Sequence, residues 1–153
     1  MSAMWAAKPV PARIPGWERA ARPVLEAHMA QPITWGVSDC LSVPADLCRA
    51  MTRVTILPMH LRRYRTELGA YKLLAKLGFA DVEEALKAAF PETAIAMARR
   101  FDAGVVERRD SAGRPVLATV IVIEGGQAIG RDLDGVVLVP VLSLRSTFAI
   151  GAR

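Results

Sequence analysis

The sequence predicts an α+β fold, with N-terminal helices followed by a C-terminal antiparallel β-sheet. Two patterns carry that expectation. Up to about residue 100, apolar residues recur at helical spacing between prolines and capping residues; after about residue 103, short β-branched runs alternate with glycine turns. Composition sets the scale: 153 residues, 52% apolar and 23% charged, make one globular domain around one core.

The elements follow in order. Residues 1–16 carry Pro9, Pro11 and Pro15 and read as an extended arm, because proline fixes φ and removes a donor. Such an arm adds little to a monomer's core and can lie along a neighbouring subunit. Residues 17–153 form the domain. From Trp17 to about Met29, residues Trp17, Ala20, Ala21, Val24, Leu25 and His28 share one helical face, with a kink expected at Pro23. Gln31 to Ser38 is a loop, and a second helix runs on to about Met51. Its start is open: Asp39 can cap it, but Pro44 suits a first turn and would crowd a helix already begun at Asp39. Thr66 caps a helix from Glu67 to Leu77, which Gly78 ends. Asp81-Val82-Glu83-Glu84 opens a fourth helix, to Phe90, stopped by Pro91, and Thr93 to Arg99 adds a turn or two. Strands are expected at Gly104 to Glu107, Val116 to Ile123, Val136 to Leu142 and Thr147 to Ile150, in a sheet of about five strands. The turns between them are Ser111 to Arg114, Gly125-Gly126 and Asp132 to Gly135.

The net charge of +5 is spread along the chain; Arg62-Arg63-Tyr64-Arg65 is the densest basic cluster. With aromatic content of only 6%, the chain lacks the basic stripe and stacking platforms of a nucleic-acid interface, so nucleic acid is not an expected partner. The longest apolar run, Val136 to Leu142, is strand-sized and too short to insert in a membrane. Met1 to Trp5 has neither the charged nor the apolar region of a signal peptide. Cys40 and Cys48 make no disulfide framework, no ligand spacing suits zinc, and no cofactor is expected.

The chemistry concentrates in Pro32-Ile33-Thr34-Trp35-Gly36-Val37-Ser38-Asp39-Cys40. A cysteine placed just after a capping aspartate meets the free N–H groups and partial positive charge of a helix N-terminus, which favour thiolate over thiol. Cys40 is therefore the candidate nucleophile. Other features have ordinary readings. Cys48 is a core residue, His28 packs on an apolar helix face, and His60 lies in a surface loop. Asp46 is solvated or pairs with Arg49 or Arg53, Trp35 anchors the cysteine loop, and Asp132-x-Asp134-Gly135 is a turn rather than a calcium loop.

Pro-Ile-Thr-Trp-Gly-x-x-Asp-Cys, followed by Tyr64-Arg65-Thr66-Glu67 and a β-meander, resembles the papain-like NlpC-type cell-wall cysteine peptidases. It is closer to small proteins of that superfamily encoded among the tail genes of phages and gene transfer agents. The resemblance covers about residues 30–150 and places Cys40 at the nucleophile position. It implies a papain-like fold and a virion component of the tail tip or baseplate, assembled in the host cytoplasm. Partners would be other tail or baseplate proteins, contacted through the 1–16 arm among other surfaces. The departures from the family pattern are equally specific. Valine follows Gly104 where the peptidases carry a Gly-Asp pair, and Pro115 to Thr119 holds no histidine where they place the base. Thiolate attack on an amide needs an acid for the leaving amine. A structural component is thus the expected function. The alternative is an active peptidase or amidase cutting cell-wall peptide during genome entry, with His28, His60 or a partner subunit supplying the proton.

Overall fold

The computed structural model describes Trp5 and residues 10–132 and 134–152. Residues 1–4 and 6–9 of the arm, and Leu133 of the third expected turn, lie outside the described residues. The architecture is α+β. Four helices, α1 (Trp17–Met29), α2 (Ser42–Thr52), α3 (Glu67–Leu77) and α4 (Val82–Ala89), pack beside a six-stranded antiparallel sheet. The strands are β1 (Glu92–Thr93), β2 (Ala103–Arg109), β3 (Pro115–Val122), β4 (Gln127–Asp132), β5 (Gly135–Pro140) and β6 (Ser146–Phe148).

Local chemistry explains the helix ends. Thr66 and Asp81 accept from Gly69 N–H and Glu84 N–H, capping α3 and α4 as their sequence implies. Pro23 lies inside an unbroken α1. Helix α2 starts at Ser42, between the two starts left open, so Pro44 falls in the first turn, where its missing N–H has no intrahelical partner to lose.

Sheet order is β1-β6-β2-β3-β4-β5. Strands β2 to β5 form the expected meander; Gly125 and Gly126, both with φ above +70°, make its middle hairpin turn. The strand expected to reach Leu142 stops at Pro140, and Val141–Ser143 is a 3-10 turn that carries the chain back beneath the sheet. That return places β6 beside β2, and β1 beside β6. One sheet face carries Val105, Ile121 and Phe148 into the main core with Leu47, Met51, Leu86 and Trp5. The other face, with Val120, Val122 and Ala128, is covered by Val141, Leu144 and Ile95.

The arm departs from expectation. Trp5 is buried and its indole N–H donates to the carbonyl of Ala85 in α4. Val10 is buried too, Ala12 bridges Ala152, and Ile14 N–H reaches Met51 O. Arg13 lies over the Trp17 ring, 4.4 Å from its centroid, and bonds Ile150 O, Arg100 O and Asp102. The described part of the arm, Trp5 and residues 10–16, adds to this chain's own core.

Candidate functional site

Cys40 sits on the turn between the Trp35 loop and α2. The turn is organised by Asp39, a buried carboxylate. One of its oxygens accepts from Leu41 N–H (2.8 Å) and Ser42 N–H (2.9 Å), which are orphan donors at the start of α2. The other accepts from Gly36 N–H and the Tyr64 hydroxyl, each at 2.8 Å. Burial and the Asp39 charge hold the Tyr64 phenol far above its ordinary value, so it serves as a permanent donor.

Gly36 is required by this packing. Its φ is +86°, and a Cβ would lie 2.4 Å from Tyr64 O and 2.8 Å from Arg62 O, both backbone atoms. Gly36→Ala is expected to cost about 2–4 kcal/mol, combining left-handed strain with overpacking. Urea denaturation measures it, and a loss under ~1 kcal/mol would mean that the loop can move away from Tyr64.

Strand β3 faces the cysteine. Thr119 Oγ1 donates to Cys40 O at 2.9 Å, across 79 residues of sequence. Cys40 borders a cavity of about 380 Å³ whose other walls include Trp35, Tyr71, Leu74, Arg108 and Leu117. The residue keeps partial exposure, yet burial pushes its thiol above the ordinary value. The Thr119 backbone and the nearby Arg108 charge pull the other way without overcoming it. Tyr71, on the same wall, is pushed up to about 12 by burial and by Glu67.

Neither histidine joins this cavity. His28 is buried between α1 and α2, with Nδ1 2.6 Å from Ser38 Oγ and Nε2 2.8 Å from Asp46 Oδ2. Ser38 is fully buried, so this Ser-His-Asp set works as a strut. His60 is exposed on the 3-10 turn Met59–Leu61. Asp46 pairs with His28 and, at 2.7 Å, with Arg62, not with Arg49 or Arg53; the tertiary partner displaces the same-helix ones. Arg62 is thereby turned inward, donating also to Leu57 O, and the basic cluster of residues 62–65 is not a continuous surface patch. Cys48 is in the core, its sulfur 3.5 Å from Thr52 Oγ1. Asp132 accepts from Asp134 N–H in a local turn. Among the described residues, no group of three or more His, Cys, Asp or Glu side chains could hold a metal ion, and no helix is long and apolar enough to cross a membrane.

Burial alone would raise the Asp46 carboxyl, but hydrogen bonds and charge from His28 and Arg62 more than offset it and hold the group below the ordinary carboxylate range. A folded-state value below the unfolded one gives stability that is full above the unfolded value and drains as pH falls through the folded one. The urea midpoints of wild type and Asp46→Asn should therefore differ most near neutrality and converge below about pH 4. A gap that persists unchanged down to about pH 3 would show that the charge is not what Asp46 contributes.

Sequence reasoning located Cys40, Asp39 and Trp35. It missed Tyr64 and Arg108 as their neighbours, because nothing local to those residues encodes contacts with a loop tens of positions away; Thr119 lies in the stretch where the resemblance expects the base. Together the fold and site define an α+β domain with a thiol set in a cavity between helices and sheet. The chain belongs to the DUF6950 family, described as a domain of unknown function, whose model matches residues 12–150. No curated protein and no solved structure matches it.

Proposed function

We propose that this chain is a structural component of a phage or phage-like tail tip or baseplate, built on a papain-like NlpC-type fold whose catalytic site has degenerated. One observation carries the reading. The cysteine in the turn before α2 stands against β3, the strand from which a base would act on this reading, and that strand presents to it Leu117, on the shared cavity, and Thr119, bonded to its carbonyl. Neither transfers a proton at neutral pH, and the two histidines of the sequence are engaged or placed elsewhere. The thiol is also held in its neutral form by burial. A peptidase needs the reverse on both counts: a thiolate and an acid for the leaving amine. The partners would be other tail or baseplate proteins, in a particle assembled in the host cytoplasm.

The alternative is an active cysteine peptidase or amidase acting on cell-wall peptide, favoured by the cavity that Cys40 borders. Complementation in the particle-producing host separates the two. Deleting the gene should abolish complete tails in electron micrographs, and Cys40→Ala should restore both tails and infectivity or gene transfer. Intact tails without the gene would refute the structural role. Assembly by Cys40→Ala particles that no longer cleave cell-wall peptide would establish the alternative.

A further inference from the structure

Strand β5 is a free edge of the sheet and pairs with β4 alone. It begins the longest apolar run of the sequence, and no charged residue lies between Asp134 and Arg145. Val136 is 51% exposed, Leu138 58%, and Leu142, just past the strand, 80%. Sheet edges are ordinarily blunted by a lysine, a bulge, a proline or a covering segment. The register of β5 on β4 runs without a bulge, and the one such device here is Pro140, at the strand's end.

The phase of the ladder fixes which groups face outward. Gln127 stands opposite Pro140, and one step on, Val141 N–H donates to Gly126 O. Hydrogen-bonding residues alternate along an antiparallel strand, so Val139, Val137 and Gly135 turn their N–H and C=O groups to β4. Val136 and Leu138 turn theirs away from the sheet, where no described residue bonds them. An exposed apolar edge with unpaired backbone groups is a template for another strand.

The strand is complementary to itself. Val136 and Leu138 lie symmetrically about Val137, so a two-fold axis at Val137 sets Val136 opposite Leu138 of a second copy, and the reverse. Each such pair exchanges both N–H···O bonds and joins two apolar side chains on one face. No like charges meet, because the strand carries none. The other edge of the sheet, β1, is only Glu92–Thr93; it carries a charge and follows Pro91, so head-to-tail addition finds little to pair with. The association therefore closes at two copies. A single strand seam is small, below about 1,200 Å² in total, and a contact of that size forms reversibly.

We propose that two copies of this chain associate through β5, continuing the six-stranded sheet across a two-fold seam. The pairing rests on the sheet edge alone and does not depend on the tail assignment.

Sedimentation velocity of the full chain over a wide range of concentration tests it. A reversible monomer–dimer equilibrium is expected. Leu138→Lys sets a charge against Val136 of the second copy and should weaken the dimer by about tenfold or more; Val136→Glu does the same from the other side. Both positions are exposed in the single chain, so the variants should keep the fold, which circular dichroism checks. Mixed in equal amounts, the two variants should recover the dimer, because the introduced ammonium and carboxylate then face each other across the seam. A chain that stays monomeric at every concentration, assembly beyond the dimer, a dimer indifferent to both substitutions, or folded variants that do not recover on mixing would overturn the proposal.

Discussion

Asp39→Ala is expected to destabilise the fold by about 3–5 kcal/mol and to lower the melting midpoint by roughly 10 °C. The cause is arithmetic of donors. Three backbone N–H groups and the Tyr64 hydroxyl share this one carboxylate, in a place where water does not replace it. Losing the acceptor strands four donors at once, including two at the start of α2. Asp39→Asn should cost less, since its amide oxygen can still serve one pair of donors while its NH₂ opposes the other. Thermal and urea melts of both variants check the order. A loss below about 1 kcal/mol for the alanine variant would mean that the loop re-forms around solvent. The same measurement bears on function: a residue beside a cysteine is easily taken for catalytic, and a large stability cost identifies Asp39 as the organiser of the turn.

The second large effect is at Asp102, which has no exposed surface. Its carboxylate takes Arg13 Nη2 at 2.8 Å, Arg99 N–H at 2.7 Å, Arg99 Nη2 at 3.4 Å and Ile150 N–H at 3.1 Å. It thereby ties the arm, the start of β2 and the C-terminal segment to one point. Burial and the neighbouring Arg99 already lower Arg13 to about 10. Removing its counter-charge leaves a buried guanidinium without compensation, and Asp102→Ala should cost about 3–5 kcal/mol. Arg13→Met alone should cost less, because the charge leaves with the side chain. In a double-mutant cycle the pair should be strongly non-additive, Asp102→Ala being milder in the Arg13→Met background. Additive losses would show that Asp102 works mainly through its backbone donors. Phe101, just before it, adopts a positive φ of 69°, a conformation that this anchor helps to hold.

What could be read from the sequence divides along physical lines. The ends of α3 and α4 were legible because Thr66 and Asp81 cap them with bonds only three residues long. The meander was legible because β-branched runs and Gly125-Gly126 are local too. Pairing of β1 with β6 was not, since a two-residue strand carries no pattern and its register is set by a partner more than fifty residues away. For the arm, proline spacing spoke to backbone extension but not to what covers Trp5; its partner is Ala85, eighty residues on. At Asp46, helical spacing favoured Arg49 or Arg53, and the fold instead delivered Arg62 and His28. The candidate site follows the same rule. Asp39-Cys40 was visible as a motif, whereas the cavity exists only because β2 and β3 bring Arg108 and Leu117 to it.

The central claim is that Cys40 is not an armed nucleophile, and its alkylation rate against pH tests that most directly. Iodoacetamide labelling of the folded protein, read by mass spectrometry, has Cys48 as an internal control with its thiol likewise raised by burial. Cys40 should label slowly through neutrality and faster only on the alkaline side of an ordinary thiol, with Cys48 inert until the fold is lost. Rapid labelling of Cys40 well below pH 8, far ahead of Cys48, would contradict it: the thiolate would then be stabilised, and the peptidase reading would stand.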